Sequence, residues 1–258
     1  MCRILGAVGP AVALDSLLAE PPFSLEHQAH APRYQALGRI NADGWGVAWY
    51  DPQVDGGRRP ARYRTATPMW ADQRFRDIAG FIRSGHVVAA VRNASPGAPV
   101  EETGSSPFVA DGWAFTHNGY LTGFRDRLGV ELRRGLTDRR AAGVLGAADS
   151  EVVFAMVLDR IDEGAAPVVA VTDVLDHLQQ RTTGCFNVIL TDGTTLLATR
   201  EGNSLYTLER DLPSSPAAPA GRQRVVASEP FDDDPGWTEV PEHALVTVTA
   251  TDLTVQPR

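Results

Sequence analysis

Apolar residues fall in short runs along this chain, and the spacing within each run separates strands from helices. Cys2 to Val8 reads as a buried first strand, and Gly9-Pro10 is expected to turn it into a short helical segment that Pro21-Pro22 stops. Ser24 to His30 suggests another helical turn. Val47 to Tyr50 and Ala61 to Ala66 flank a turn-rich stretch and predict paired strands. Phe75, Ile78, Ala79 and Ile82 fall at i, i+3, i+4 and i+7, the stripe of an amphipathic helix. His86 to Val91 reads as a buried strand, and Trp113 to Thr116 as another that ends at His117-Asn118-Gly119. Val153, Val157 and Ile161 mark a helix from about Ser150 to Glu163. Val171, Val174, Leu175 and Leu178 mark the next, with Gly184 beyond its end. Cys185–Thr191 and Thr194–Thr199, separated by Asp192-Gly193, predict a hairpin with a type I′ turn. Short strands follow at Leu205–Leu208, Arg224–Ala227, Leu245–Thr249 and Leu253–Gln256, with an exposed loop from Leu212 to Gly221. This order predicts an α+β layered domain of two antiparallel sheets, with no linker dividing residues 1–258.

Composition narrows the function classes. A hydrophobic content of 43% is ample for a core, and a net charge of −8 argues against nonspecific phosphate binding, which needs a basic surface. No apolar run approaches the roughly 18–20 residues of a membrane helix. Gly9-Pro10 breaks the apolar stretch after Arg3 and no clear cleavage site follows, so no secretion signal is expected. The two cysteines, Cys2 and Cys185, have no disulfide or zinc spacing, and a reducing, cytoplasmic setting fits them. The six histidines include no HExxH, His27 and His30 read as a helix-surface pair, and neither a metal nor an organic cofactor is expected.

Candidate chemistry concentrates at the start of the chain. Met1 precedes a small side chain, the setting in which initiator methionine is commonly trimmed, and its loss would make Cys2 the N-terminal residue. A terminal cysteine joins a thiol nucleophile to an α-amine with an ordinary pKa of about 7.7–8.0, so one residue can supply nucleophile and base. The alternative is a cysteine that merely opens a buried strand. His117-Asn118-Gly119 could supply oxyanion donors from the Asn118 amide and the Gly119 N–H, or form an ordinary Asn-Gly turn. Arg92 closes a buried apolar strand, where an unpaired guanidinium is costly, so it must meet an acid of the protein or of a ligand. Ser95 could add a hydroxyl to the same carboxylate. Asp149, at a helix start, could cap the helix or hold an ammonium. The segment from Asn93 to Pro107 is a long Pro/Gly/Ser-rich loop, and such loops inside compact domains are usually functional. An arginine for an α-carboxylate, an aspartate for an α-ammonium and a thiol further along describe a pocket for a γ-glutamyl group.

Cys2, Asn41-Ala42-Asp43-Gly44-Trp45-Gly46, Arg92 before Ser95, His117-Asn118-Gly119 and Asp149-Ser150-Glu151 occur in the order of the class II glutamine amidotransferases, which nearly the whole chain resembles. The resemblance implies an N-terminal-nucleophile (Ntn) hydrolase fold, a four-layer α/β/β/α sandwich in one domain whose mature chain starts at Cys2. It implies Cys2 as nucleophile, Asn118 and Gly119 as oxyanion hole, and substrate binding by Arg92, Ser95, Asp149 and the Asn41, Gly44 and Trp45 segment. Two departures, the end of the chain at residue 258 and Asn93-Ala94-Ser95-Pro96-Gly97 after the arginine, point to a stand-alone amidohydrolase. Met-Cys-Arg, the Asn41–Tyr50 segment, Ala227-Ser228-Glu229-Pro230 and Asp232–Trp237 most resemble the branch acting on γ-glutamyl-hercynylcysteine sulfoxide in ergothioneine biosynthesis. The expected partner is a small γ-glutamyl molecule, and homo-oligomerisation is left open. Other readings are a glutaminase passing ammonia to a separate synthase, a peptidase for glutathione-like substrates, and a scaffold that binds without turnover. Trp45, Trp70, Trp113 and Tyr120 are candidates to face a quaternary ammonium.

Overall fold

The computed structural model describes residues 2–214 and 219–258; Met1, and residues 215–218 of the loop expected at Leu212–Gly221, lie outside it. The strands are β1 (Arg3–Ala13), β2 (Trp45–Trp49), β3 (Ala61–Thr65), β4 (Arg83–Val91), β5 (Phe108–Ala110), β6 (Trp113–Leu121), β7 (Gly184–Thr191), β8 (Leu196–Arg200), β9 (Tyr206–Leu212), β10 (Gly221–Ala227), β11 (Thr238–Glu239), β12 (Ala244–Val248) and β13 (Leu253–Pro257). The helices are α1 (Leu14–Leu18), α2 (Leu25–His30), α3 (Gln73–Ala79), α4 (Gly129–Arg134), α5 (Asp138–Gly143), α6 (Asp149–Asp162) and α7 (Pro167–Gln179). One sheet has the order β11-β9-β10-β1-β4-β2-β3 and the other β13-β12-β8-β7-β6-β5. Every ladder in them is antiparallel.

Period-two alternation builds the layers. Leu5 and Ala7 of β1, with Val87, Ala89 and Val91 of β4, pack against α1, α2 and α3 through Leu14, Leu17, Leu25 and Phe75. Their neighbours Ile4, Val8, Val88 and Ala90 point the other way and meet Ile189, Leu196, Ala198 and Val246 of the second sheet. The far face of that sheet packs Phe115, Val188, Leu190 and Leu197 against α6 and α7. A one-residue slip would exchange these faces, so the double-sided burial fixes the register. The result is the α/β/β/α sandwich.

Several elements differ from the sequence expectation. β1 does not turn at Gly9-Pro10; it runs to Ala13, and the ladder to β4 breaks between Val8 and Val12, which accommodates a proline without a backbone donor. His117-Asn118-Gly119 lies inside β6, paired with β7, rather than beyond a strand end. The β7–β8 hairpin closes over Asp192–Thr195, and the Asp192 carboxylate accepts the Thr194 and Thr195 N–H groups at 2.8 Å, so an Asx-type turn replaces type I′. α3 ends at Ala79 and leaves Ile78 exposed. The region between Gly119 and Asp149, unassigned from sequence, holds α4 and α5.

His86 ties the sheets together. It is buried on β4, and its Nε2 lies 2.5 Å from Thr191 Oγ1 on β7. The Thr191 hydroxyl donates to Thr195 O at 2.8 Å, so the imidazole Nε2 carries the proton. Burial pushes the His86 pKa down from 6.5 to about 4. Between those values the unfolded chain binds a proton that the folded chain refuses, so stability falls as the pH drops through this window. The loss contributed by this group reaches about 3 kcal/mol. Denaturant midpoints at pH 7 and pH 4.5 should therefore lie further apart in the wild type than in His86→Gln; equal separation would remove His86 as the cause.

Candidate active site

A cavity of about 680 Å³ opens beside the first residue of β1. Cys2, Arg92, Ser95, Gly119 and Asp149, far apart in sequence, all line it. The half-buried Cys2 places its Sγ 4.0 Å from Asn93 O. Below it the fully buried Arg3 donates to Cys2 O at 2.7 Å and pairs with the equally buried Glu229 at 3.0 Å. Breaking such a pair on one side costs about 3–5 kcal/mol, so the strand start that carries Cys2 is firmly held.

Arg92 follows β4 directly and is 8% exposed. Its guanidinium donates to Asp43 O at 3.3 Å and Pro99 O at 3.1 Å, both neutral carbonyls. Among the described residues no carboxylate pairs with it. The Asn41–Trp45 segment explains how it is held. Gly44 O accepts Arg92 N–H at 2.8 Å, Asp43 N–H donates to Arg92 O at 3.0 Å, and the Asp43 carboxylate accepts Ala94 N–H at 2.8 Å. Gly44 has φ +116° with Thr65 O 2.6 Å from where a Cβ would sit, so a side chain there is excluded. Asn41 is buried and donates to Gln28 O and Gln35 Oε1, both at 2.9 Å. Trp45 is buried in the helix-facing core, where its Nε1 donates to Asp72 at 3.2 Å. None of Asn41, Gly44 and Trp45 lines the cavity; the segment braces Arg92 and the loop behind it.

Asp149 is the first residue of α6, but Ala148 occupies the capping position. The Asp149 carboxylate instead accepts Leu121 N–H at 3.0 Å and Ser150 N–H at 2.7 Å. Among the described residues no cation pairs with it. Ser150 Oγ lies 3.2 Å from Asp149 Oδ1 and 2.9 Å from His117 Nδ1, and its single proton serves one of them at a time. His117 Nε2 donates to Cys185 O at 2.8 Å.

Gly119 sits where a Cβ would collide with Cys185 O and His117 Nε2, so close approach of β7 requires glycine. Asn118 is fully buried beneath it, its Nδ2 donating to Ser228 Oγ at 3.3 Å. Ser95 lines the cavity from its exposed loop. Of the aromatic candidates Tyr120 lines it, joined by Phe108 and Phe124; Trp45, Trp70 and Trp113 do not. Sequence reading missed Leu37-Gly38, Thr122–Asp126 and Ala147-Ala148 as walls of the cavity. They belong to loops and short helices without a periodic signal. Cys185 is half-buried, and burial pushes its thiol pKa up. His27 and His30 do touch, with ring centroids 5.1 Å apart. Glu201, Glu242 and His243 also converge, but Arg258 and Arg200 pair with the two carboxylates and ion pairing accounts for the grouping. No helix among the described residues is long and apolar enough to cross a membrane.

Two antiparallel sheets packed face to face between helical layers, with a cysteine at the start of a central strand, form the sandwich of the Ntn hydrolases. Residues 18–257 match the family described as glutamine amidotransferases class-II, and the chain belongs to that family. It is similar to the gamma-glutamyl-hercynylcysteine sulfoxide hydrolase of Mycobacterium tuberculosis, 35% identical over 255 residues, 99% of this chain and 96% of that one. The protein of the same name from Mycolicibacterium smegmatis is 35% identical over 261 residues, covering 100% of both chains. Among solved structures, a glutamine aminotransferase class-II domain protein from Silicibacter pomeroyi superposes with a TM-score of 0.68 at 24% identity, over 99% of each chain.

Proposed function

We propose that this chain is a γ-glutamyl amide hydrolase whose nucleophile is Cys2, and that its substrate is the γ-glutamyl-hercynylcysteine sulfoxide after which its relatives are named. The observation that carries the reading is one cavity in which the thiol shares walls with an arginine that meets no acid, and an aspartate that meets no cation, among the described residues. Arg92, with Ser95, takes the α-carboxylate of the glutamyl head, and Asp149 takes its α-ammonium. The α-amine of Cys2, freed by loss of Met1, accepts the thiol proton, and the thiolate attacks the γ-carbonyl carbon. The oxyanion is met by the Asn118 Nδ2 and Gly119 N–H groups. Collapse expels the leaving amine, which takes its proton from the Cys2 ammonium, and leaves a γ-glutamyl thioester. Water, deprotonated by the same amine, releases glutamate and restores the thiol. The whole chain acts as one domain in a reducing cytoplasm, on a small molecule rather than on nucleic acid.

Glutamate release from the sulfoxide conjugate, glutathione and glutamine, each supplied alone, tests the proposal. The conjugate should give the highest kcat/KM. A preference for glutathione would indicate a general γ-glutamyl peptidase, and glutamine activity rising with a partner chain would indicate an ammonia donor.

A further inference from the structure

The Asn118 side chain is held from two sides by residues that reach it from outside its own strand. Asn203, in the loop after β8 and 5% exposed, donates from Nδ2 to Asn118 O at 2.8 Å and to Asn118 Oδ1 at 3.4 Å. An amide NH2 has no acceptor capacity, so Asn118 must turn its oxygen toward Asn203 and its nitrogen the other way. On that other side Ser228 Oγ accepts one Nδ2 proton at 3.3 Å. The same hydroxyl oxygen accepts Ile4 N–H at 3.0 Å, and Ser228 N–H donates to Ile4 O at 2.9 Å. Ser228 therefore ties Asn118 of one sheet to β1 of the other, two residues from Cys2.

Asn203 is anchored in turn. Its N–H donates to Asn187 Oδ1 at 3.1 Å, and its carbonyl accepts from Asn187 Nδ2 at 2.9 Å. Asn187, Asn118 and Ser228 are fully buried, so each lost partner leaves a polar group that water cannot serve.

We propose, resting on the reading of the site given above, that Ser228 and Asn203 are positioning residues for the oxyanion hole. Asn203 sets which end of the Asn118 amide faces Cys2, and Ser228 takes one Nδ2 proton so that the second is aimed at the developing oxyanion. A preset donor stabilises the transition state without reorganising during the reaction, and loss of one donor typically costs about 10²–10³-fold in rate.

The test is a double-mutant cycle on the full chain. Ser228→Ala is expected to lower kcat about 10–10²-fold while KM and the affinity for glutamate change less than about twofold. In an Asn118→Ala background the same substitution should cost almost nothing further, because the group it positions is gone. A merely structural role would give the same penalty in both backgrounds. Ser228→Ala also strips the Ile4 N–H of its acceptor, so Asn203→Ala, which among the described residues removes side-chain bonds to Asn118 alone, serves as the second variant and decides the matter if the first fails to fold. Wild-type kcat in Asn203→Ala, or multiplicative penalties in the cycle, would overturn the positioning proposal while wild-type turnover left the site reading intact. No glutamate release by the wild type from any γ-glutamyl amide would instead overturn the site reading itself.

Discussion

Replacing Cys2 with alanine is expected to lower glutamate release about 10⁴–10⁶-fold, the range that removal of a hydrolase triad member costs. On the proposed mechanism the size follows from loss of the attacking sulfur: an alanine terminus keeps the α-amine but gives it no thiol to activate. No neighbour can substitute. The other thiol, Cys185, is half-buried with its pKa pushed up by burial, and it is the Cys185 carbonyl, not its sulfur, that meets His117. Cys185→Ser should therefore keep its rate within about threefold, since the backbone bond survives. Initial rates of both variants on the sulfoxide conjugate check the pair. Turnover in Cys2→Ala near that of wild type would remove covalent catalysis from the account.

The second large effect is on binding. Arg92→Leu is expected to raise KM for a γ-glutamyl amide about 10²–10³-fold, because truncating one member of a buried charge pair costs about 2–5 kcal/mol. In the proposed complex the contact is made in the ground state and the transition state alike, so kcat should change far less than KM. Arg92→Lys should recover only part of the loss: an ammonium cannot reach Asp43 O, Pro99 O and a ligand carboxylate with one planar fork. A steady-state comparison of the three forms separates the outcomes. A fall in kcat at constant KM in Arg92→Leu would place the arginine in transition-state stabilisation instead.

The sequence signals that succeeded were those with a local physical cause. Alternating apolar residues in β1 and β4, and the 3.6-residue stripes of α6 and α7, report burial directly, so their positions were legible to within a few residues. Arg92 was singled out because a charge closing an apolar strand needs a partner, and Asp149 because it opens a helix; among the described residues neither meets an opposite charge, and their roles belong to the proposal. What failed was chemistry that depends on contacts distant in sequence. Gly9-Pro10 reads as a turn in isolation, yet pairing with β4 on both sides of a bulge carries the strand past it. Asn-Gly at 118–119 likewise reads as a turn, but β7 holds it inside a strand. Trp45 belongs to the motif that suggested substrate contact, and the fold sends its ring into the core while backbone atoms of its neighbours hold Arg92. Ser228 and Asn203 reach Asn118 across 110 and 85 positions, a relation no local pattern encodes.

The proposed base, a free α-amine on Cys2, requires loss of the initiator methionine. The intact mass of the purified protein, measured on the same sample whose kcat is determined, tests this most directly. The active fraction should have the mass of the chain beginning at Cys2, and molecules still carrying Met1 should release no glutamate. Full turnover by a homogeneous sample that retains Met1 would contradict it.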